Sequence, residues 1–284
     1  MGAAFVITLR EGIEAVLIVS ILLAYLRQIG AGHESHLIWA GALTAAVVSV
    51  AVGAVIFALG AEFEGTAEQL FAGITTLAAV GVLTWMIFWM RRQGGRIRTE
   101  LQGRVDTAMV AGGFALAALA FVAVLREGVE TALFIFAAAK GTAVDAGGVA
   151  AQLLGAALGL AAAVVLGVSI YRGGIRMNLR TFFKVTGTIL IFVAAGLFAY
   201  GLHELQEAGT LAFLTGTAFD ISGILADESG LGAVLRGLIG YQADPTWLEV
   251  LGSVGYVVVV GWLFLRPQPA PVTTAAPVED SVAS

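Results

Sequence analysis

Cysteine is absent from the 284 residues, which excludes disulfides, thiolate metal sites and cysteine nucleophiles. Histidine is nearly absent too, at three. Charge is scarce: Asp, Glu, Lys and Arg make up 12% of the chain, against about 25% in ordinary soluble domains. No G-x-x-x-x-G-K-[ST] stretch occurs, so no P-loop hydrolyses ATP. No basic segment precedes the first apolar run, and residues 1 to 26 therefore read as a retained helix rather than a cleaved signal peptide.

What is present is apolar. The chain is 59% hydrophobic with a mean hydropathy of +0.93, the composition of a membrane protein. A spanning helix needs about 20 largely apolar residues. Seven stretches meet or approach that length: about 3–26, 37–60, 68–90, 108–139, 147–170, 181–203 and 246–265. The expected fold is an all-α polytopic membrane protein, a permease domain over 1–266. The tail 267–284, rich in Pro, Ala and Thr, reads as disordered.

Orientation follows from the loops. One alternate set holds eleven of the fifteen Lys and Arg residues, including Arg91, Arg92, Arg96, Arg98 and Arg104. The other set holds only Lys140 and Arg236, which puts the N-terminus outside and the C-terminus in the cytoplasm. The outer loops are then acidic and attract cations.

Two charged motifs interrupt the apolar runs. FVITLREGIEA, residues 5–15, and FVAVLREGVET, residues 121–131, share F-V-x-x-L-R-E-G-x-E at an offset of 116 residues. Three spans separate them, so the two helices run in opposite directions. This is the mark of an inverted 3 + 3 repeat with a seventh helix added, and it predicts repeat 1 over about 3–90, repeat 2 over about 108–203 and the last helix over about 246–265. At 1.5 Å per residue the two motifs lie at depths differing by about 3 Å.

The spacing inside each motif carries chemistry. Residues three apart share a helical face, so Glu11 projects with Glu14 and Glu127 with Glu130. Arg10 and Arg126 each precede the second glutamate by four residues and temper the charge. Four Glu and two Arg leave −2, which suits a di- or trivalent cation. Ionised residues at helix centres each oppose insertion by about 2.5–3.5 kcal/mol, and a purely structural ion pair needs no second glutamate. Carboxylate oxygen suits hard ions such as Fe³⁺, Mg²⁺, Ca²⁺ or Mn²⁺. The expected outer loading site comprises His203, Glu204 and Glu207 at the end of the sixth span, with Glu62, Glu64 and Glu68 in the first outer loop. A di-iron carboxylate enzyme is disfavoured because no Glu-x-x-His accompanies Glu11 or Glu127. A permease for another metal (Mn²⁺, Pb²⁺), or an ion-coupled transporter with the glutamates as proton relays, uses the same residues.

At these residues the chain resembles the high-affinity, oxidase-dependent iron permeases and their bacterial EfeU-type branch. That family is marked by two R-E-x-x-E motifs, in the first and fourth of seven helices, matched here by Arg10, Glu11, Glu14 and by Arg126, Glu127, Glu130. The likeness extends through residues 62–74, 201–209 and 240–256. It implies a non-enzymatic importer in a bacterial cytoplasmic membrane, with iron as substrate and no resident cofactor or nucleic acid. The resemblance further implies that iron is oxidised outside and passed on as Fe³⁺, with a separate oxidase or iron-binding protein as partner.

Overall fold

The computed structural model describes residues 1–93, 97–142, 146–171, 179–225, 231–232, 235–236 and 240–266. The expected tail 267–284 lies outside the described residues, as do Asp145, Asp227 and Glu228 of the acidic loops. The described chain is helical: α1 Gly2–Gln28, α2 Ser35–Glu62, α3 Thr66–Gln93, α4 Ile97–Ala111, α5 Gly113–Thr142, α6 Ala146–Tyr171, α7 Leu179–Glu207 and α8 Trp247–Leu265. A short 3₁₀ turn, Gly32–Glu34, precedes α2.

Five segments are long and apolar enough to cross a membrane: 32–62, 66–90, 149–169, 181–207 and 247–265. Helices α1 and α5 have 27 and 30 residues, about 40 and 45 Å at 1.5 Å each. Only their embedded charges separate them from those five in composition. The outward faces of α2, α6 and α8 present Val47, Val50, Leu158, Val165, Leu251 and Val258. A water-facing surface of this kind is unfavourable, and lipid is its natural solvent.

The stretch 108–139, expected as one span, is divided. Residues 108–111 close α4, and Gly112 takes φ +102 before α5 begins. That backbone conformation favours glycine and turns the chain between two helices. Helix α4 buries Leu101, Val105 and Ala108 against Leu22, Leu26, Ile38 and Leu116. These residues recur at i, i+4 and i+7, an apolar stripe on an otherwise polar helix. A second cluster centred on Leu83, Phe134 and Leu190 joins α3, α5 and α7.

Helix α1 packs most extensively on α6, α2 on α5, and α3 on α7. Small residues set the first two contacts. On α6, Gly155 meets Met1 just before α1, and Ala163 and Gly167 meet Gly12 and Val16 of α1. On α2, Gly41, Ser49 and Gly53 meet Ala117, Gly128 and Ala132 of α5. The numbering rises together in both pairs, so each pair runs parallel. Small residues in place of larger ones let the backbones approach closely.

Candidate metal centre

Helical spacing puts Arg10, Glu11 and Glu14 on one stretch of α1, and Arg126, Glu127 and Glu130 on the matching stretch of α5. Gly12 and Gly128 sit beside these acids. They open the contacts of α1 with α6 and of α5 with α2, where an added Cβ would meet Ala163 and Ser49.

One carboxylate oxygen each from Glu11, Glu14 and Glu127 lie within 4.8 Å of one another, and all three residues are buried. Glu130 is outside that trio, also buried, with its Oε1 accepting from Arg126 Nε at 3.0 Å. Arg126 Nε is 3.6 Å from Glu127 Oε1. Arg10 is 1% exposed. It donates to Glu11 Oε1 at 2.8 Å and lies 3.1 Å from Glu14 Oε1. Each arginine thus reaches both glutamates of its own motif.

Helix α3 holds the arginines from behind. Arg10 Nη1 and Nη2 reach the sulfurs of Met86 and Met90 at 2.9 and 2.7 Å. The Arg126 guanidinium lies 4.4 Å from the centre of the Trp89 ring and 5.8 Å from that of Trp85. The sequence WMIFWM, residues 85–90, therefore gives one arginine thioethers and the other indole faces, both at i, i+4 spacing. Sequence reading missed these four residues, because an aromatic and methionine stripe in an apolar helix looks like ordinary core.

The arginines do not satisfy every oxygen. Glu11 Oε2, Glu127 Oε2 and Glu130 Oε2 are buried with no hydrogen-bond partner, and Glu14 Oε1 makes no well-aligned bond despite its proximity to Arg10. A buried acceptor left alone costs about 1–3 kcal/mol, and more when charged. A cation among these oxygens would offset that cost, so the donor set fits a hard metal ion. A cavity of about 200 Å³ is lined by Glu14, Glu127 and Arg126 together with Glu100 and Arg104 of α4. It has room for several waters.

The six residues expected at the outer loading site are dispersed along one end of the bundle. His203 Nε2 is 3.4 Å from Glu207 Oε1. Glu204 follows His203 directly. Glu68 is paired with Lys140 at 2.7 Å. Glu62 and Glu64 are exposed at the end of α2 and in the turn after it. A residue not expected there, Glu249 of α8, is buried and bonded to His203 at 2.9 Å. Its T-x-x-E sequence reads locally as a helix-capping box, which conceals the partner on α7.

The iron permease FTR1 family matches residues 1–267. The chain is 39% identical over 270 residues to the ferrous iron permease EfeU of Yersinia pestis, covering 94% of each chain. It is 40% identical over 281 residues to that of Escherichia coli O6:K15:H31, covering 98% of this chain and all of the relative. The Shigella sonnei ferrous iron permease EfeU is 40% identical over 278 residues, covering 97% of this chain and 99% of the relative. No solved structure matches the chain. Apolar helices, paired charged motifs and similarity over nearly the whole length agree: the chain is a multi-pass membrane protein that belongs to the iron permease FTR1 family.

Proposed function

We propose that the chain imports iron across a bacterial cytoplasmic membrane through carboxylates supplied by α1 and α5. The observation that carries this reading is the convergence of Glu11, Glu14 and Glu127 in a buried space where carboxylate oxygens remain unpaired. Glu130, bonded to Arg126, completes the donor set. An oxygen-only site of net charge −2 favours a hard, highly charged ion such as Fe³⁺. The relatives are named for ferrous iron. Oxidation outside the membrane by a separate oxidase, or delivery by an iron-binding partner, links a ferrous supply to a ferric site.

The arginines act as internal counter-charges. When a cation takes the carboxylates, Arg10 keeps its contacts to Met86 and Met90, and Arg126 keeps its stacking on Trp89. The guanidinium groups therefore give way without leaving the bundle. Net import is favoured by about 2.3 kcal/mol per charge for each 100 mV of inside-negative potential.

In this reading α1 and α5 join the five apolar segments to make seven spans, and α4 lies at the inner surface. Residues 1–266 form one permease, with repeats over about 3–90 and 108–203, the last helix over about 246–265 and a cytoplasmic tail over 267–284. Packing supports the repeat. The contacts Met1, at the cap of α1, and Gly12 and Val16 of α1 are related to the α5 contacts Ala117, Gly128 and Ala132 by the offset of 116. Their partners on α2 and α6 are related by an offset of 114: Gly41 with Gly155, Ser49 with Ala163, and Gly53 with Gly167. The imbalance of basic residues supports an outer N-terminus. His203, Glu204 and Glu207, with Glu62, Glu64 and Glu68 nearby, then form an outer surface that gathers cations.

Labelled-iron uptake by cells lacking other iron importers tests the reading, with manganese and lead as competitors and with or without an oxidant. Glu14→Ala and Glu130→Ala abolish uptake while each protein still reaches the membrane. Normal uptake by both variants would overturn the proposal.

A further inference from the structure

A second polar cluster lies where α7 ends and α3 and α8 begin. His203 stands there between two carboxylates. Its Nδ1 is 2.9 Å from Glu249 Oε1, and its Nε2 is 3.4 Å from Glu207 Oε1. Glu249 is 1% exposed; it also accepts from Thr246 Oγ1 at 3.0 Å, and its Oε2 has no hydrogen-bond partner. The side chain of Glu207 is 51% exposed, and its Oε2 accepts from Gln69 Nε2 at 3.1 Å.

A carboxylate only accepts hydrogen bonds, so the contact with Glu249 places a proton on His203 Nδ1. The lone pair of the neutral ring is then on Nε2, beside the exposed Glu207. A buried carboxylate behind the imidazole is the means by which proteins fix the tautomer and direction of a metal-ligating histidine. The spacing agrees: two ligand atoms about 2.1 Å from a tetrahedral ion stand about 3.4 Å apart.

We propose that Glu249 is the positioning residue of a cation-loading site whose ligands are His203 Nε2 and Glu207. Imidazole with carboxylate suits a divalent first-row ion better than the oxygen-only set between α1 and α5 does, so the pair would hold Fe²⁺ until the separate oxidase takes its electron and Fe³⁺ moves on to the central carboxylates. This rests on the reading of His203 and Glu207 as an outer loading pair, and it adds the residue that orients them.

Cobalt binding to the full chain in lipid nanodiscs tests the proposal, in a Glu14→Gln/Glu127→Gln background that silences the central carboxylates. Visible absorption reports the nitrogen ligand, and thermal unfolding confirms that each variant is folded. The expected result is one His203-dependent Co²⁺, lost in His203→Ala and weakened about 10- to 100-fold in Glu249→Gln. Glu249→Asp, which keeps the charge with a shorter reach, gives an intermediate affinity and serves if the glutamine variant does not fold. Loss in His203→Ala with parental affinity in both Glu249 variants overturns the positioning role and leaves the loading pair standing. A folded parent with no His203-dependent cobalt overturns both.

Discussion

A single methyl group at position 128 tests how helix spacing sets the metal centre. A Cβ there would lie 2.6 Å from Ser49 Cβ and would also meet Ser49 Oγ. Carbon atoms in optimal contact stand about 3.5–4.0 Å apart, so α5 and α2 must separate by about 1 Å. Overpacking of this kind costs about 1–3 kcal/mol, which a protein stable by about 5–15 kcal/mol survives. Glu127 is adjacent and moves with α5, away from Glu11 and Glu14. Metal–ligand distances hold to about 0.2 Å, and a misplacement of about 1 Å costs on the order of 100-fold in rate. Gly128→Ala therefore lowers iron uptake about 100-fold with a normal amount of protein in the membrane. Ser49→Gly in the same chain removes the colliding atoms and restores most of the uptake, at a helix cost of about 1 kcal/mol. The other motif gives the counterpart pair. Gly12→Ala brings a Cβ to 2.7 Å from Ala163 Cβ, and Ala163→Gly relieves it. The assay is labelled-iron uptake normalised to membrane-inserted protein. Wild-type rates in Gly128→Ala, or no relief from Ser49→Gly, would refute the link between this contact and the site.

Arg10→Ala leaves Glu11 and Glu14 buried without their cation, a loss of about 3–5 kcal/mol; protein yield and melting temperature fall, and Glu11→Gln in the same chain recovers part of both. Trp89→Leu removes the ring 4.4 Å from Arg126, a contact worth about 0.5–2 kcal/mol. It lowers uptake several-fold, whereas Trp85→Leu, with its ring at 5.8 Å, changes uptake less. Because the chain has no cysteine, single cysteines report topology directly. Asp220→Cys reacts with an impermeant maleimide from outside, and Ser35→Cys reacts only after permeabilisation; the reverse pattern would contradict the proposed orientation.

The central residues were legible because charge inside an apolar run is costly and therefore conspicuous. The two R-E-x-x-E motifs announced themselves, and their constant offset pointed to related helices. The arginine–glutamate pairing at i, i+4 was legible too, and the structure has both contacts. Helix α4 was not legible as a helix. Its arginines and acids suggested a solvated loop, and the stripe of Leu101, Val105 and Ala108 matters only once α1, α2 and α5 stand beside it. Trp85, Met86, Trp89 and Met90 were hidden among the apolar residues of α3, since only tertiary packing reveals which of them meets an arginine. Glu249 was hidden by its local role. Its capping position explains its presence fully until His203, 46 residues earlier, is found against it.

The most direct test is iron entry into proteoliposomes containing the purified chain, an inside-negative potential and a trapped chelator. Wild-type vesicles accumulate labelled iron, whereas vesicles with Glu14→Gln or Glu127→Gln do not, although both variants insert and melt as the wild type does. Equal accumulation in all three would contradict passage of iron through these carboxylates.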